Sequence, residues 1–109
     1  MRAMDEKKLR GQMGLCLRAG QTVFGEDACR KALRTGKAGL MILDGDISEN
    51  ALQRYETAGA REHVPMFRIR AGQIWECTGK PGKAMAVKKG GFVEPMLRSL
   101  ETKGPAERE

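Results

Sequence analysis

The sequence has few of the residues that build disulfide-stapled, metal-bound or membrane-spanning proteins. Of its 109 residues, three are cysteine and one is histidine. No CxxC pair occurs, so we predict neither a disulfide framework nor a metal site, and we expect reduced thiols. No apolar run approaches the ~20 residues that a membrane-spanning helix needs. The charged start, residues 1–8, precedes no apolar segment, so we expect a cytoplasmic protein with no membrane partner.

The balance of charge is basic. Lysine and arginine number 20 against 14 aspartates and glutamates, which gives a formal net charge of +6. The cations are concentrated in residues 30–37, which contain no acid, and in residues 68–89, where Glu76 is the one acid. Residues 44–49 are instead acidic. This segregation favours a polyanionic partner, and the alternative is an ordinary solvated surface.

Helical and strand patterns alternate along the chain. Helices are predicted over 5–19, 26–35, 48–60 and 92–100, with one or two helical turns in 71–77, and strands over 22–24, 39–44, 64–68 and 83–89. The first two helices carry apolar stripes, formed by Leu9, Met13, Leu15, Cys16 and Leu17 and by Ala28, Cys29, Ala32 and Leu33. The continuous apolar run 39–44 predicts a strand that is buried on both faces. Together the patterns predict an α/β sandwich with helices on both faces of a central sheet.

Common enzyme motifs are absent or broken. Gly20–Gly25 has the GxxxxG spacing of a P-loop, but Glu26 and Asp27 follow it where lysine and serine or threonine are required. A calcium loop beginning at Asp44 would place Tyr55 where a glutamate ligand is needed. We therefore predict a non-enzymatic binding protein with no catalytic residue, no metal and no cofactor.

Two segments combine features that suit a phosphate-rich ligand. Gly25 precedes a helix N-terminus, whose free N–H groups and positive dipole end favour anions, and cations line the outer side of that helix. The glycine-rich segment Gly79–Met85 can bring its backbone close to a nucleic acid while its lysines contact phosphates. We expect Met85 to be exposed there. The alternatives are a solvated helix face and a plain tight turn.

Several segments resemble a known family in order and spacing. They are residues 15–25, 32–43, 46–50, 64–65 and 79–87. Across residues 5–100 the chain resembles the kink-turn RNA-binding ribosomal proteins (the L-seven-Ae and L-thirty-e group), and most of all their small bacterial YlxQ-like members. The resemblance implies a three-layer α/β/α sandwich around a four-stranded mixed sheet.

The resemblance also implies a site. In the family, the start of the second helix contacts sheared G·A pairs of a bent RNA loop through Gly-x-Asn-Glu-x-x-Lys. Gly25 and Lys31 match this motif, whereas Asp27 and Ala28 replace its asparagine and glutamate. An ionised aspartate accepts hydrogen bonds but cannot donate one to guanine O6. With the second contact loop, the predicted RNA-binding residues are Gly25, Glu26, Asp27, Arg30, Lys31, Arg34, Lys80, Pro81, Gly82, Lys83 and Met85.

The sequence thus predicts a single RNA-binding domain over residues 1–103 and a flexible tail over 104–109. We expect it to be a monomer when free and to recognise structured, kink-turn-like RNA, in association with ribosomal or another structured RNA. The alternative is a protein-interaction adaptor on the same fold, with weak or no RNA binding.

Overall fold

The computed structural model describes the backbone of residues 6–107 and the side chains of residues 7–100. Helices and strands alternate as the sequence pattern predicts. In chain order the elements are α1 (Glu6–Arg18), β1 (Thr22–Phe24), α2 (Glu26–Arg34), β2 (Ala38–Asp44), α3 (Glu49–Glu62), β3 (Met66–Ile69), α4 (Gln73–Thr78), β4 (Ala84–Lys88) and α5 (Val93–Glu107).

The sheet has four strands in the order β1-β4-β2-β3. Strand β2 pairs parallel with β3 and antiparallel with β4, and β4 pairs antiparallel with β1, so the sheet is mixed. Successive side chains of a strand point to opposite faces. On β2, Leu40 and Ile42 accordingly enter one core, and Met41 and Leu43 enter the other.

Each face of the sheet is covered by helices. On one face α1, α4 and α5 contribute Leu9, Ile74 and Met96 to the first core. On the other face α2 and α3 contribute Leu33 and Tyr55 to the second. This arrangement confirms the predicted three-layer α/β/α sandwich with a four-stranded mixed sheet.

The helix ends follow the predicted chemistry. Ser48 caps α3, since its Oγ accepts a hydrogen bond from the backbone N–H of Ala51 at 3.2 Å. Gly20 follows α1 with a φ of 71°, and its N–H donates to the carbonyl of Leu17 at 3.0 Å. Glycine is favoured there because the left-handed conformation is costly for residues with a Cβ.

Some predicted boundaries are wrong. Strand β3 begins at Met66 rather than Val64, although the Pro65 carbonyl already accepts a hydrogen bond from the Met41 N–H at 2.9 Å. Helix α5 continues past Leu100 to Glu107, so the backbone of residues 104–107, predicted as tail, is helical. The predicted first helical residue, at position 5, and the tail residues 108–109 lie outside the described part of the chain.

Two residues of the predicted apolar stripes face outward. Leu15 is 50% exposed on α1, and Ala28 is exposed in the first turn of α2. Each stands next to a buried cysteine, Cys16 or Cys29, which takes the inward position in that turn. A sheet covers only one side of a helix. Residues at the edge of an apolar stripe therefore remain exposed, even where their spacing is helical.

Candidate nucleic-acid interface

Helix α2 begins immediately after the glycine that the sequence singles out. Gly25 has a φ of 95°, and an added Cβ would meet nothing within 4 Å, so the backbone conformation rather than space favours glycine. No side chain caps the helix, and Glu26, Asp27 and Ala28 are exposed. The first-turn N–H groups of α2 are therefore accessible to a ligand that can accept hydrogen bonds.

The outer face of α2 carries its charged side chains. Lys31 and Arg34 are exposed and Arg30 is partly exposed, whereas Cys29 is buried. Arg30 Nη2 donates to Asp27 Oδ1 at 2.8 Å, although the Asp27 side chain is 95% exposed. Pairs this open to water contribute at most about 1 kcal/mol to stability, so a ligand can break this one at low cost.

The second predicted segment forms an exposed loop between α4 and β4. All four residues from Lys80 to Lys83 are exposed. Thr78 Oγ1 accepts from the Lys80 N–H at 3.1 Å, and the Lys83 carbonyl accepts from the Asp44 N–H at 2.8 Å. Both ends of the loop are thus held by the fold, while its lysine side chains face solvent.

Met85 does not belong to this exposed loop. It is fully buried in β4, paired in register with Phe24 of β1 and Ile42 of β2. The expectation that Met85 is exposed is wrong, because the strand begins at Ala84 and alternation turns the next side chain into the core under α1, α4 and α5. Met85 therefore supports the loop from below and does not reach its surface.

One cleft brings parts of the two predicted segments together. It has a volume of about 420 Å³ and lies among the start of α2, the turn after β2, helix α3 and the start of β4. Its lining residues are Glu26, Asp46, Ile47, Ser48, Ala51, Arg54, Tyr55, Gly82, Lys83 and Ala84. Lys31, Arg34 and Lys80, also predicted, are not among them.

Tyr55 ties α3 to the start of α2. Its side chain is 1% exposed, and its hydroxyl donates to the backbone carbonyl of Glu26 at 3.4 Å. Burial, reinforced by the nearby Cys29 thiol and the Glu26 carboxylate, raises the pKa of Tyr55 far above its usual value. The hydroxyl therefore remains a donor at neutral pH and helps to fix the position of the helix start relative to the cleft.

The buried carboxylate of Asp44 connects the loops beside the cleft, a role that the sequence did not reveal. Its side chain is 3% exposed. Oδ1 accepts from the Asp46 N–H at 2.7 Å, and Oδ2 accepts from the Gly72 N–H at 3.0 Å. Together with the backbone bond to Lys83, these contacts connect three loops at one end of the sheet.

Acids neutralise half of the cations in and around the cleft. The three ion pairs are Glu26–Arg54 at 3.1 Å, Asp27–Arg30 at 2.8 Å and Asp46–Lys83 at 3.3 Å. Among residues with described side chains, Lys31, Arg34 and Lys80 have no ion-pair partner. Arg54 is the functional candidate that the sequence analysis missed, because its approach to Glu26 depends on how α2 packs against α3.

Two of the three thiols, those of Cys16 and Cys29, are buried, and Cys77 is partly exposed. Burial raises the pKa of Cys16 to about 11 and that of Cys29 to about 12, and it also raises the pKa of Cys77. All three are free cysteines. Within the described residues, no cluster of three or more histidines, cysteines or carboxylates is arranged to hold a metal ion. No helix in residues 6–107 combines the length and apolar character needed to cross a membrane.

Fold and site together define a small α/β/α sandwich with a helix start and a cationic loop at one cleft. No protein-family model matches the chain. An RNA-binding protein YlxQ of Enterococcus faecium is 26% identical to it over 98 residues, which are 89% of this chain and 95% of that protein. This relative confirms the resemblance to the YlxQ-like proteins.

Two solved structures share the fold. A Bacillus halodurans protein of unknown function superposes with a TM-score of 0.81 at 23% identity, over 86% of this chain and 97% of its own. The Giardia lamblia 15.5kD RNA binding protein superposes with a TM-score of 0.73 at 13% identity, over 91% of this chain and 87% of its own. At these identities the two structures establish the architecture.

Proposed function

We propose that this chain is a non-enzymatic RNA-binding protein that recognises structured, kink-turn-like RNA. The carrying observation is the cleft at which the start of α2 and the loop before β4 meet, with Glu26 and Lys83 on its walls. The names of the YlxQ relative and of the Giardia protein support RNA as the ligand. We further propose that the protein is cytoplasmic, monomeric when free, and associated with ribosomal or another structured RNA.

The chemistry of the site suits an irregular RNA rather than a plain duplex. Duplex RNA hides its base edges in a deep, narrow groove, whereas bulged loops expose them. The accessible N–H groups at the start of α2 can donate to exposed base or phosphate acceptors. Lys31 and Lys80, which have no acid partner among the described side chains, are available to contact phosphates on either side.

The departures from the family motif fit the same proposal. Asp27 is held toward Arg30 by an ion pair, and Ala28 offers no polar group. Neither side chain can donate a hydrogen bond to a base, so direct reading of bases at these positions is reduced. We infer that RNA shape and phosphate contacts supply more of the affinity than base contacts do.

The proposal is tested by measuring affinity for a kink-turn RNA hairpin and for a matched hairpin without the G·A pairs. We expect the kink-turn RNA to bind more tightly. Lys31→Ala should weaken that binding about three- to fivefold, the range expected for an exposed ionic contact. The matched control is Lys7→Ala, which removes the same charge from exposed α1 on the opposite face of the sheet.

Two outcomes would contradict the proposed RNA-binding site. If the folded protein retains neither RNA at moderate salt, or if both variants bind as the unaltered chain does, the proposed site is wrong. Circular dichroism establishes that each variant is folded. The adaptor hypothesis would then be preferred, and the three acid–cation pairs of the cleft would be interpreted as a neutral protein-contact surface.

A further inference from the structure

A second concavity lies beside the cleft, between the outer faces of α2 and α3. It has a volume of about 560 Å³, and we call it the arginine groove. Its lining residues are Arg30, Arg34, Asn50, Gln53, Arg54, Thr57, Ala58, Arg61 and Glu62. Four arginines and a single acid give this concave surface an excess of positive charge.

The arginines of the groove differ in how they are engaged. Arg30 pairs with Asp27 and Arg54 pairs with Glu26, both acids of the α2 first turn. The side chains of Arg34 and Arg61 have no hydrogen-bond or ion-pair partner within residues 7–100. The groove therefore has two available guanidinium groups at the end remote from the start of α2.

The groove and the cleft share one lining residue. Arg54 lines both concavities, and it forms an ion pair with Glu26 of the cleft. On α3, Arg54 and Arg61 are separated by seven residues, which corresponds to about 10 Å along the helix. A nucleic-acid strand that leaves the cleft over Arg54 can therefore contact guanidinium groups at more than one of its phosphates.

We propose that the arginine groove binds the phosphate backbone of a duplex arm adjoining the irregular RNA loop held at the cleft. This inference rests on the proposed RNA-binding function and extends its site to α3. Guanidinium groups match phosphate oxygens with paired hydrogen bonds. The neighbouring Asn50, Gln53 and Thr57 are polar groups of the kind that contact phosphate and sugar without reading sequence.

The composition of the groove favours RNA over a protein partner. Hot spots of protein interfaces are enriched in tryptophan and tyrosine as well as arginine, and these side chains are seated in well-packed, desolvated pockets. The arginine groove offers no such pocket wall, since Ala58 is the one apolar side chain among its lining residues. An extended polyanion needs none of these apolar contacts, because its affinity comes largely from charge neutralisation and counterion release.

The test compares RNA arms of different length. The probes are kink-turn hairpins in which one arm or the other is cut from a full helical turn to a few base pairs. Arg61→Gln and the double variant Arg34→Gln with Arg61→Gln are measured against Arg18→Gln, a matched charge removal on α1 at the opposite face. Arg61→Gln should weaken binding of the full-length hairpin about three- to fivefold. It should also make the slope of log affinity against log salt concentration less steep by about one, as expected for the loss of one phosphate contact.

The same changes should have little effect once the contacted arm is shortened. If Arg61→Gln, the double variant and Arg18→Gln all bind the full-length hairpin equally, the groove does not contact RNA and the inference is overturned. It is also overturned if the groove variants lose an acidic protein partner while RNA affinity is unchanged. Failure of the proposed function differs from both, because the unaltered chain would then bind no hairpin, with long or short arms.

Discussion

Lys83 and Asp46 form an ion pair across the cleft, with Nζ and Oδ2 3.3 Å apart. The loop before β4 supplies the cation, and the turn after β2 supplies the acid. Both side chains remain more than half exposed. The pair therefore keeps the Lys83 side chain at the edge of the cleft while partly cancelling its charge.

Asp46→Asn should increase affinity for RNA by about two- to fivefold, because it releases Lys83 from an exposed ion pair. The fold should be unaffected, since Asp46 contacts Asp44 through its backbone N–H rather than its side chain. Affinity is measured by fluorescence anisotropy of a labelled hairpin. Glu56→Gln, an equal charge change at an exposed α3 position outside the cleft, is the control. Equal gains in both variants would show that net charge alone is responsible.

Asp27→Asn should increase affinity for a kink-turn RNA by about 1 kcal/mol. The change removes a negative charge beside Arg30 and supplies a side-chain donor for a guanine acceptor, and good base contacts contribute ~1–3 kcal/mol. The comparison RNA lacks the G·A pairs. A gain for the kink-turn alone identifies base recognition, whereas equal gains for both RNAs would identify a charge effect and contradict the alignment of Asp27 with the family asparagine.

Affinity for RNA should decrease steeply as salt increases. If the five cations predicted from sequence each neutralise one phosphate, the logarithm of the binding constant should fall with the logarithm of salt concentration with a slope of about −4. Titrations at several salt concentrations measure it. Lys80→Ala should make the slope less steep by about one. A nearly flat dependence would eliminate a phosphate-binding face.

Asp44→Asn should lower the free energy of unfolding by about 1–3 kcal/mol, the cost of leaving a buried hydrogen-bonding group unsatisfied. The carboxylate uses both oxygens as acceptors, for the N–H groups of Asp46 and Gly72, and an amide retains only one. Urea unfolding measures the change. If stability is unaltered, the contacts between the loops at this end of the sheet contribute little to the fold.

Met85→Ala should lower the free energy of unfolding by about 2–5 kcal/mol, the usual cost of a methionine-size cavity in a core. RNA affinity should be unchanged under conditions where the variant is folded, because Met85 lies inside the sheet rather than on the loop. A stable variant with selectively weakened RNA binding would instead place this side chain at the RNA surface.

The features predicted best from the sequence are those that depend on residues within a single helix, strand or turn. The apolar run of β2, the Ser48 cap and the turn at Gly20 follow from local chemistry, and all three are confirmed. The family resemblance predicted the layers and the mixed sheet correctly. The exposed positions of Leu15 and Ala28 could not be predicted, because hydrophobic periodicity does not show how much of a helix its neighbours cover.

The site was less accessible from the sequence, because its electrostatics depend on tertiary contacts. The partner of Arg30 is near in sequence, but Glu26 and Arg54 are 28 residues apart, and Asp46 and Lys83 are 37 apart. No local pattern joins residues at such distances. Met85 was expected to be exposed although it lies within the predicted strand 83–89, because the local pattern does not show that both faces of β4 are covered.

The position of β4 also determines when during synthesis the cleft can exist. Strand β2 completes its pairing only with β4, whose residues emerge from the ribosome some 40 positions after it. Until then the cleft lacks Gly82 and Lys83, the start of α2 faces an unfinished sheet, and the non-local contacts that organise the site are unformed. The two halves of this cleft therefore cannot meet in a nascent chain until residues 84–88 have been translated and can pair with β2.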